Sequence, residues 1–213
     1  MCGKRFLSAV MLLATACTMS AVAQDEKNEL GATLGRTFIS DQGITGSTFF
    51  NNVIHSGKGT SFAVEYARRV LVMPVFAVSG EVIAMYNPDE DLNAGSVGNP
   101  VVPSNYKQLF ITPGARVNLF PTTAVSPWIS LGVGFGHFSQ SSNLAFGPAN
   151  PGKSTTSATI EGGIGLDVKL TGRVYIRGEA RDFWSGHPDF PLAPTSNSRQ
   201  HNYYVAGGAY WRF

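Results

Sequence analysis

Only two cysteines, Cys2 and Cys17, occur in these 213 residues, and both sit in the opening segment. A chain processed beyond them keeps no thiol, which excludes disulfides and thiol chemistry. After the opening residues, no stretch approaches the ~20 consecutive apolar residues that a membrane-spanning helix needs. Charge is scarce, at 14% of residues, and nearly balanced, with 16 Lys+Arg against 14 Asp+Glu. The excess is Lys4 and Arg5 alone; without them the count is 14 against 14. A neutral chain offers no polyanion-binding stripe, so nucleic acid is not expected as a partner. Metal-spaced His/Cys clusters, a phosphate-cradling glycine loop and a nucleophile elbow are also missing, so neither metal nor cofactor is expected. The histidines, His55, His137, His187 and His201, fall in or beside loop-like sequence.

What is present begins with an export leader. Lys4 and Arg5 precede an apolar run from Phe6 to about Ala16, and Ala21-Val22-Ala23 fits a small-x-small cleavage site. The expected division is a cleaved signal peptide over 1–23 and one domain over 24–213. Ala14-Thr15-Ala16-Cys17 loosely imitates a lipoprotein box that would lipidate Cys17, but Ala14 fits such a box poorly and cleavage after Ala23 is favoured.

Two-residue alternation then runs through the chain and marks strands. In 29–38, Leu30, Ala32 and Leu34 oppose Glu29, Gly31 and Thr33; in 59–68, Phe62, Val64 and Tyr66 oppose Ser61, Ala63 and Glu65. Strands follow over 75–86, 106–119, 125–138, 155–170, 174–183 and 203–213. Pro113 sits inside the fourth and predicts a bulge or a lost ladder bond there. Gly-, Pro-, Ser- and Asn-rich stretches over 39–58, 87–105, 139–153 and 184–199 read as long loops. The links over 69–74, 120–123 and 171–173 are short. About eight strands joined by loops that alternate long and short favour a transmembrane barrel over a soluble sandwich, which follows no such rule.

In the last strand, Tyr203, Val205, Gly207, Ala209, Trp211 and Phe213 share one face and Tyr204, Ala206, Gly208, Tyr210 and Arg212 the other. This aromatic-ended strand resembles the C-terminal strand of bacterial outer-membrane β-barrel proteins. The whole chain after the leader resembles their small, barrel-only members of the OmpA-like transmembrane-domain type. The resemblance implies an all-β, eight-stranded antiparallel up-and-down transmembrane β-barrel in the outer membrane, surrounded by lipid and lipopolysaccharide. It further implies that Tyr203, Val205, Ala209, Trp211 and Phe213 serve as the assembly signal for the barrel-assembly machinery.

With the apolar faces outward, Glu29, Glu65, Glu81, Glu161, Asp167 and Glu179 face inward with Arg116, Lys169, Arg177, Arg181 and Arg212. Eight strands enclose only enough room for side chains, so these groups are expected to pair across the lumen as an ionic plug. Inward glycines, Gly132, Gly134, Gly136, Gly163 and Gly165, offer a low wall for long Arg and Tyr side chains, or a small cavity. Aromatics near strand ends suggest two interface girdles: Phe76, Phe120, Trp211 and Phe213 at the turns, and Tyr86, Tyr106, Phe110, Phe135, Phe183, Trp184 and Tyr203 at the loops.

Function is then expected in the loops: a non-enzymatic surface protein that stabilises the membrane or engages an extracellular or host ligand. The alternative is a narrow conduit for water, ions or a small ligand. A less favoured reading rests on His137-Phe138-Ser139, which is similar to the His-x-Ser site of outer-membrane lipid A deacylases, where His activates Ser for attack on an acyl ester. Gln140 stands where that family has Asn, and three strands follow where it has about one.

Overall fold

The computed structural model describes residues 26–40, 42–43, 53–56, 58–93, 105–140, 154–186 and 199–213. Their regular elements are all strands: β1 (Asn28–Ile39), β2 (Gln42–Gly43), β3 (Val53–Ser56), β4 (Lys58–Val72), β5 (Phe76–Asn93), β6 (Asn105–Leu119), β7 (Val125–Gln140), β8 (Ser154–Thr171), β9 (Val174–Gly186) and β10 (Arg199–Arg212). The leader, with Cys17, Ala21 and Ala23, lies outside the described residues, as does His187.

Eight strands form the barrel, in the order β5-β4-β1-β10-β9-β8-β7-β6, and β6 pairs back onto β5. Every backbone ladder therefore finds a partner within the ring, as hydrocarbon surroundings require. The seam joins first and last strands from Glu29↔Arg212 to Ile39↔Asn202. Asn28 and Phe213 exchange backbone hydrogen bonds of 2.8 Å at its end. The stretch 39–58, expected as pure loop, contributes β2 and β3. β3 pairs with Leu92 and Asn93, because β5 runs on well past the expected end at Tyr86. β4 likewise continues to Val72 through a bulge between Arg69 and Leu71, where a link was expected.

Alternation decides which face each residue takes. Leu34, Val64, Ile129, Leu131, Val133, Ile164 and Val205 are exposed on the outer face, while Glu65, Arg116, Glu161, Arg177 and Arg212 are buried inside. This inverts the arrangement of a water-soluble protein and is stable when the outer face meets lipid. Pro113 keeps its register with β5, but the β6–β7 pairing skips Thr112 and Pro113. The proline thus costs ladder pairing on the β7 side without a bulge.

The tight turns use distinct chemistry. Gly172 takes φ 42° between β8 and β9, which favours glycine. Phe120 takes φ 49° between β6 and β7, and its carbonyl accepts from both the amide and the hydroxyl of Thr123 at 3.1 and 2.8 Å.

Two residues expected in the loop-side girdle are not there. Phe110 and Phe183 are fully buried inside the barrel, stacked at a centroid distance of 5.0 Å, with Phe138 edge-on to Phe110 at 5.7 Å. Position near a strand end suggested a girdle, but parity prevails: Phe110 shares its face with Gln108 and Thr112, and Phe183 with Arg181.

Candidate functional site

The interior is layered along the barrel axis. Nearest the turns, Glu29 on β1, Glu65 on β4 and Asp167 on β8 meet Arg116 on β6, Arg177 on β9 and Arg212 on β10. Arg177 binds all three acids: Nε to Asp167 Oδ1 at 2.6 Å, Nη1 to Glu65 Oε1 at 2.6 Å and Nη2 to Glu29 Oε1 at 2.7 Å. Arg212 joins Glu29 and Asp167, each at 2.7 Å. Arg116 reaches Glu29 at 2.5 Å and also binds Glu65. Aromatic rings sandwich these cations: Arg177 lies 3.8 Å above the Tyr210 centroid and Arg212 3.6 Å above that of Tyr175. Trp128 donates its indole N–H to Asp167 Oδ1 at 3.1 Å and presents its ring to Arg177 at 5.0 Å and Arg181 at 4.8 Å.

One step toward the loops the charge balance shifts. Arg181 contacts Glu65 at 2.7 Å, Glu81 at 3.0 Å, Glu161 at 2.8 Å and Glu179 at 3.0 Å. Glu65 also serves Arg116 and Arg177, so Arg181 is the principal cation for Glu81, Glu161 and Glu179. Six buried carboxylates, Glu29, Glu65, Glu81, Glu161, Asp167 and Glu179, stand against four buried guanidiniums, Arg116, Arg177, Arg181 and Arg212. Lys169, expected among the inward cations, is instead exposed at the turn rim with Nζ 5.9 Å from the Tyr175 centroid. It belongs to the end of β8, at the bulge between Lys169 and Thr171, where the strand has left the enclosed lumen.

Above the charges lies an apolar layer of Ile83, Met85, Phe110, Phe138 and Phe183, with Tyr204 beside it. The Tyr204 hydroxyl reaches back to Thr33 at 2.9 Å, and Thr33 donates to Glu179 at 2.8 Å, which ties the two layers together. An amide layer follows: Gln200 Nε2 donates to Asn202 Oδ1 at 2.9 Å, and Asn202 Nδ2 donates to the Phe183 carbonyl at 2.8 Å.

The glycines make room for this packing. A Cβ at Gly165 or Gly31 would overlap the ring of Trp128 or Tyr210, and one at Gly136 would come within 2.6 Å of Phe110. Sequence parity does not single out Trp128, Tyr175 and Tyr210 as cation partners. Their signal is faint: large aromatics on the same face as arginines.

On the outer wall, His137 Nδ1 meets Thr156 Oγ1 at 2.8 Å and Ser139 is exposed, whereas Glu161 points inside to Arg181. Also outward, His201 Nδ1 meets Asp182 Oδ2 at 2.7 Å, and the His201 ring stacks 5.6 Å from Tyr203. Tyr203, Val205, Ala209 and Trp211 are exposed on that wall, and Phe213 packs on Trp211 at 5.0 Å. Among the described residues no group of three or more His, Cys, Asp or Glu is arranged to hold a metal ion.

A sequence search of curated proteins finds no match. Solved structures share the architecture. The outer membrane protein OprG from Pseudomonas aeruginosa aligns with a TM-score of 0.56 at 13% identity, over 88% of this chain and 96% of that one. Neisserial surface protein A aligns with a TM-score of 0.54 at 14% identity, over 87% and 97%. The outer membrane protein AlkL, solved in lipid bilayers, aligns with a TM-score of 0.54 at 13% identity, over 91% and 93%. At these identities the likeness is one of fold. Residues 9–213 match the family described as outer membrane protein beta-barrel domain, and with its closed ring, lipid-facing apolar wall and charged interior this chain belongs to that family of the outer membrane.

Proposed function

We propose that this outer-membrane barrel is a closed, non-enzymatic surface protein: its lumen is plugged by the ionic network, and its long loops stabilise the envelope or engage an extracellular ligand. The observation that carries this reading is Arg181 holding Glu65, Glu81, Glu161 and Glu179 within 3.0 Å, below a stacked Phe110–Phe183 pair. Charges from opposite walls meet at hydrogen-bond distance, and a layer of packed aromatic rings follows. An ion crossing this interior would have to displace paired charges and then pass the packed rings of Phe110, Phe138 and Phe183, and both steps are costly in a low-dielectric lumen. The residues of the plug are Glu65, Glu81, Arg116, Glu161, Asp167, Arg177, Glu179, Arg181 and Arg212, with Glu29.

Planar-bilayer recording tests the reading. Electrical silence supports the plug. Steady channels that widen on Arg177→Ala or Arg212→Ala would overturn it in favour of a conduit.

A further inference from the structure

The outer wall carries a recess across β8, β9 and β10. Gly162 and Ala180 form its floor, Ile164 one side, and Val205 and Tyr203 the other, around about 430 Å³. The register accounts for it. Gly162 stands opposite Asp182 and Ile164 opposite Ala180, while Val205 and Tyr203 meet Ala180 and Asp182 from the other strand. A Cβ at Gly162 would meet nothing within 4 Å, and neither would one at Gly178, the next outward position below Ala180. The larger side chains of β8 and β10 therefore stand apart over β9. A second recess of about 490 Å³ shares Ile164 and Ala180 with the first and lies toward the turns, against Gly178 and Leu166.

Asp182 closes the loop-side end. Its Oδ2 accepts from His201 Nδ1 at 2.7 Å, and the His201 ring stacks with Trp184 at 6.2 Å and with Tyr203 at 5.6 Å. Its Oδ1 is buried and has no hydrogen-bond partner. A carboxylate can only accept, and leaving one of its oxygens unmatched away from water costs free energy that an incoming donor would recover. Trp184 and Tyr203 are exposed at this height, with Phe38 opposite Tyr203, as aromatics are at a membrane interface. The recess thus places an acceptor at the interface and an apolar slot below it, toward the middle of the membrane.

We propose that this recess binds one acyl lipid of the loop-side leaflet whose head carries an N–H or O–H donor. The donor reaches Asp182 Oδ1, and the chain runs down over Ala180 and Gly178. A bare hydrocarbon chain would leave Oδ1 unmatched, and a water-soluble ligand would not reach a wall that faces lipid. The inference rests on the lipid-facing wall and not on the closed lumen.

The test offers the folded barrel, in detergent micelles, three lipids in turn and counts those retained by native mass spectrometry. Phosphatidylcholine has no N–H or O–H donor, phosphatidylethanolamine has an ammonium, and lipid A has amide and hydroxyl donors. The native chain is expected to retain a donor-bearing lipid several-fold more than phosphatidylcholine, and the one retained more identifies the source of the donor. Gly162→Leu, whose side chain enters open space, is expected to lower retention of every lipid several-fold. Asp182→Leu is expected to remove the preference among them, while Val64→Leu on the outer face of β4 leaves retention unchanged. Equal retention of all three lipids by the native chain, full retention after Gly162→Leu, or a preference that survives Asp182→Leu overturns the proposal.

Discussion

Arg181 Nη1 meets Glu81 Oε1 at 3.0 Å, although β9 and β5 stand on opposite sides of the ring. The contact spans the lumen, and its energetics depend on how many other carboxylates share the same guanidinium. Removing Arg181 leaves Glu161 and Glu179 without a guanidinium partner, and leaves Glu81 only Arg116 at 3.4 Å. Arg181→Ala is expected to destabilise the barrel by about 3–5 kcal/mol, the scale for losing one partner of a buried ion pair. Glu81→Gln removes one of the carboxylates that Arg181 must balance, so it is expected to cost less than Glu65→Gln, which takes a ligand from Arg116, Arg177 and Arg181 at once. Urea unfolding in detergent micelles, read by heat-modifiable gel mobility, orders the three.

Two glycines on β8 separate packing from propensity. A Cβ at Gly165 would overlap the Trp128 ring, while one at Gly162 has nothing within 4 Å. Gly165→Ala is expected to destabilise by about 1–3 kcal/mol, as overpacking does. Gly162→Ala is expected to be neutral or to stabilise by up to about 1 kcal/mol, because alanine loses less backbone entropy in a strand. The same unfolding midpoints decide it, and equal effects would mean that the Trp128 ring and the Gly178 carbonyl, which a Cβ at Gly165 would also meet, both give way.

Phe213 joins the seam through its backbone and packs on Trp211. Deleting it is expected to lower the membrane-inserted fraction more than an alanine substitution in any long loop does. Fractionation followed by comparison of boiled and unboiled samples measures this, and equal insertion would remove Phe213 from the assembly signal.

His137 bonds Thr156, and the carboxylate of Glu161 lies inside the barrel, out of line with a site at Ser139 on the outer wall. Acyl release from lipopolysaccharide in mixed micelles is therefore expected to be absent. Release that disappears in Ser139→Ala would restore the hydrolase reading.

The pairing of β1 with β10 is legible in the sequence. Alternation in 29–38 and 203–213 gives both strands matching apolar faces, and a chain with no spanning helix, no thiol after Cys17 and long loops alternating with short turns has few architectures open to it. The same alternation puts Glu65, Glu81, Arg116 and Arg177 on one face. It fails where it is not applied: Phe110 and Phe183, read by their closeness to strand ends, belong by parity to the interior. Strand ends were less readable still. The β5 extension to Asn93 depends on pairing with β3 and β6, and no local pattern encodes a distant partner.

What the sequence determined by itself is periodicity, and with it the barrel, its membrane setting and the side each residue takes, because these follow from the two-residue repeat of an extended chain. What only the tertiary structure decided is which charges meet. Ring closure and strand stagger set the heights of Arg181 and its four carboxylates and seat Trp128 among the arginines. Those heights depend on the register of every strand in the ring, a property that no single stretch of chain contains.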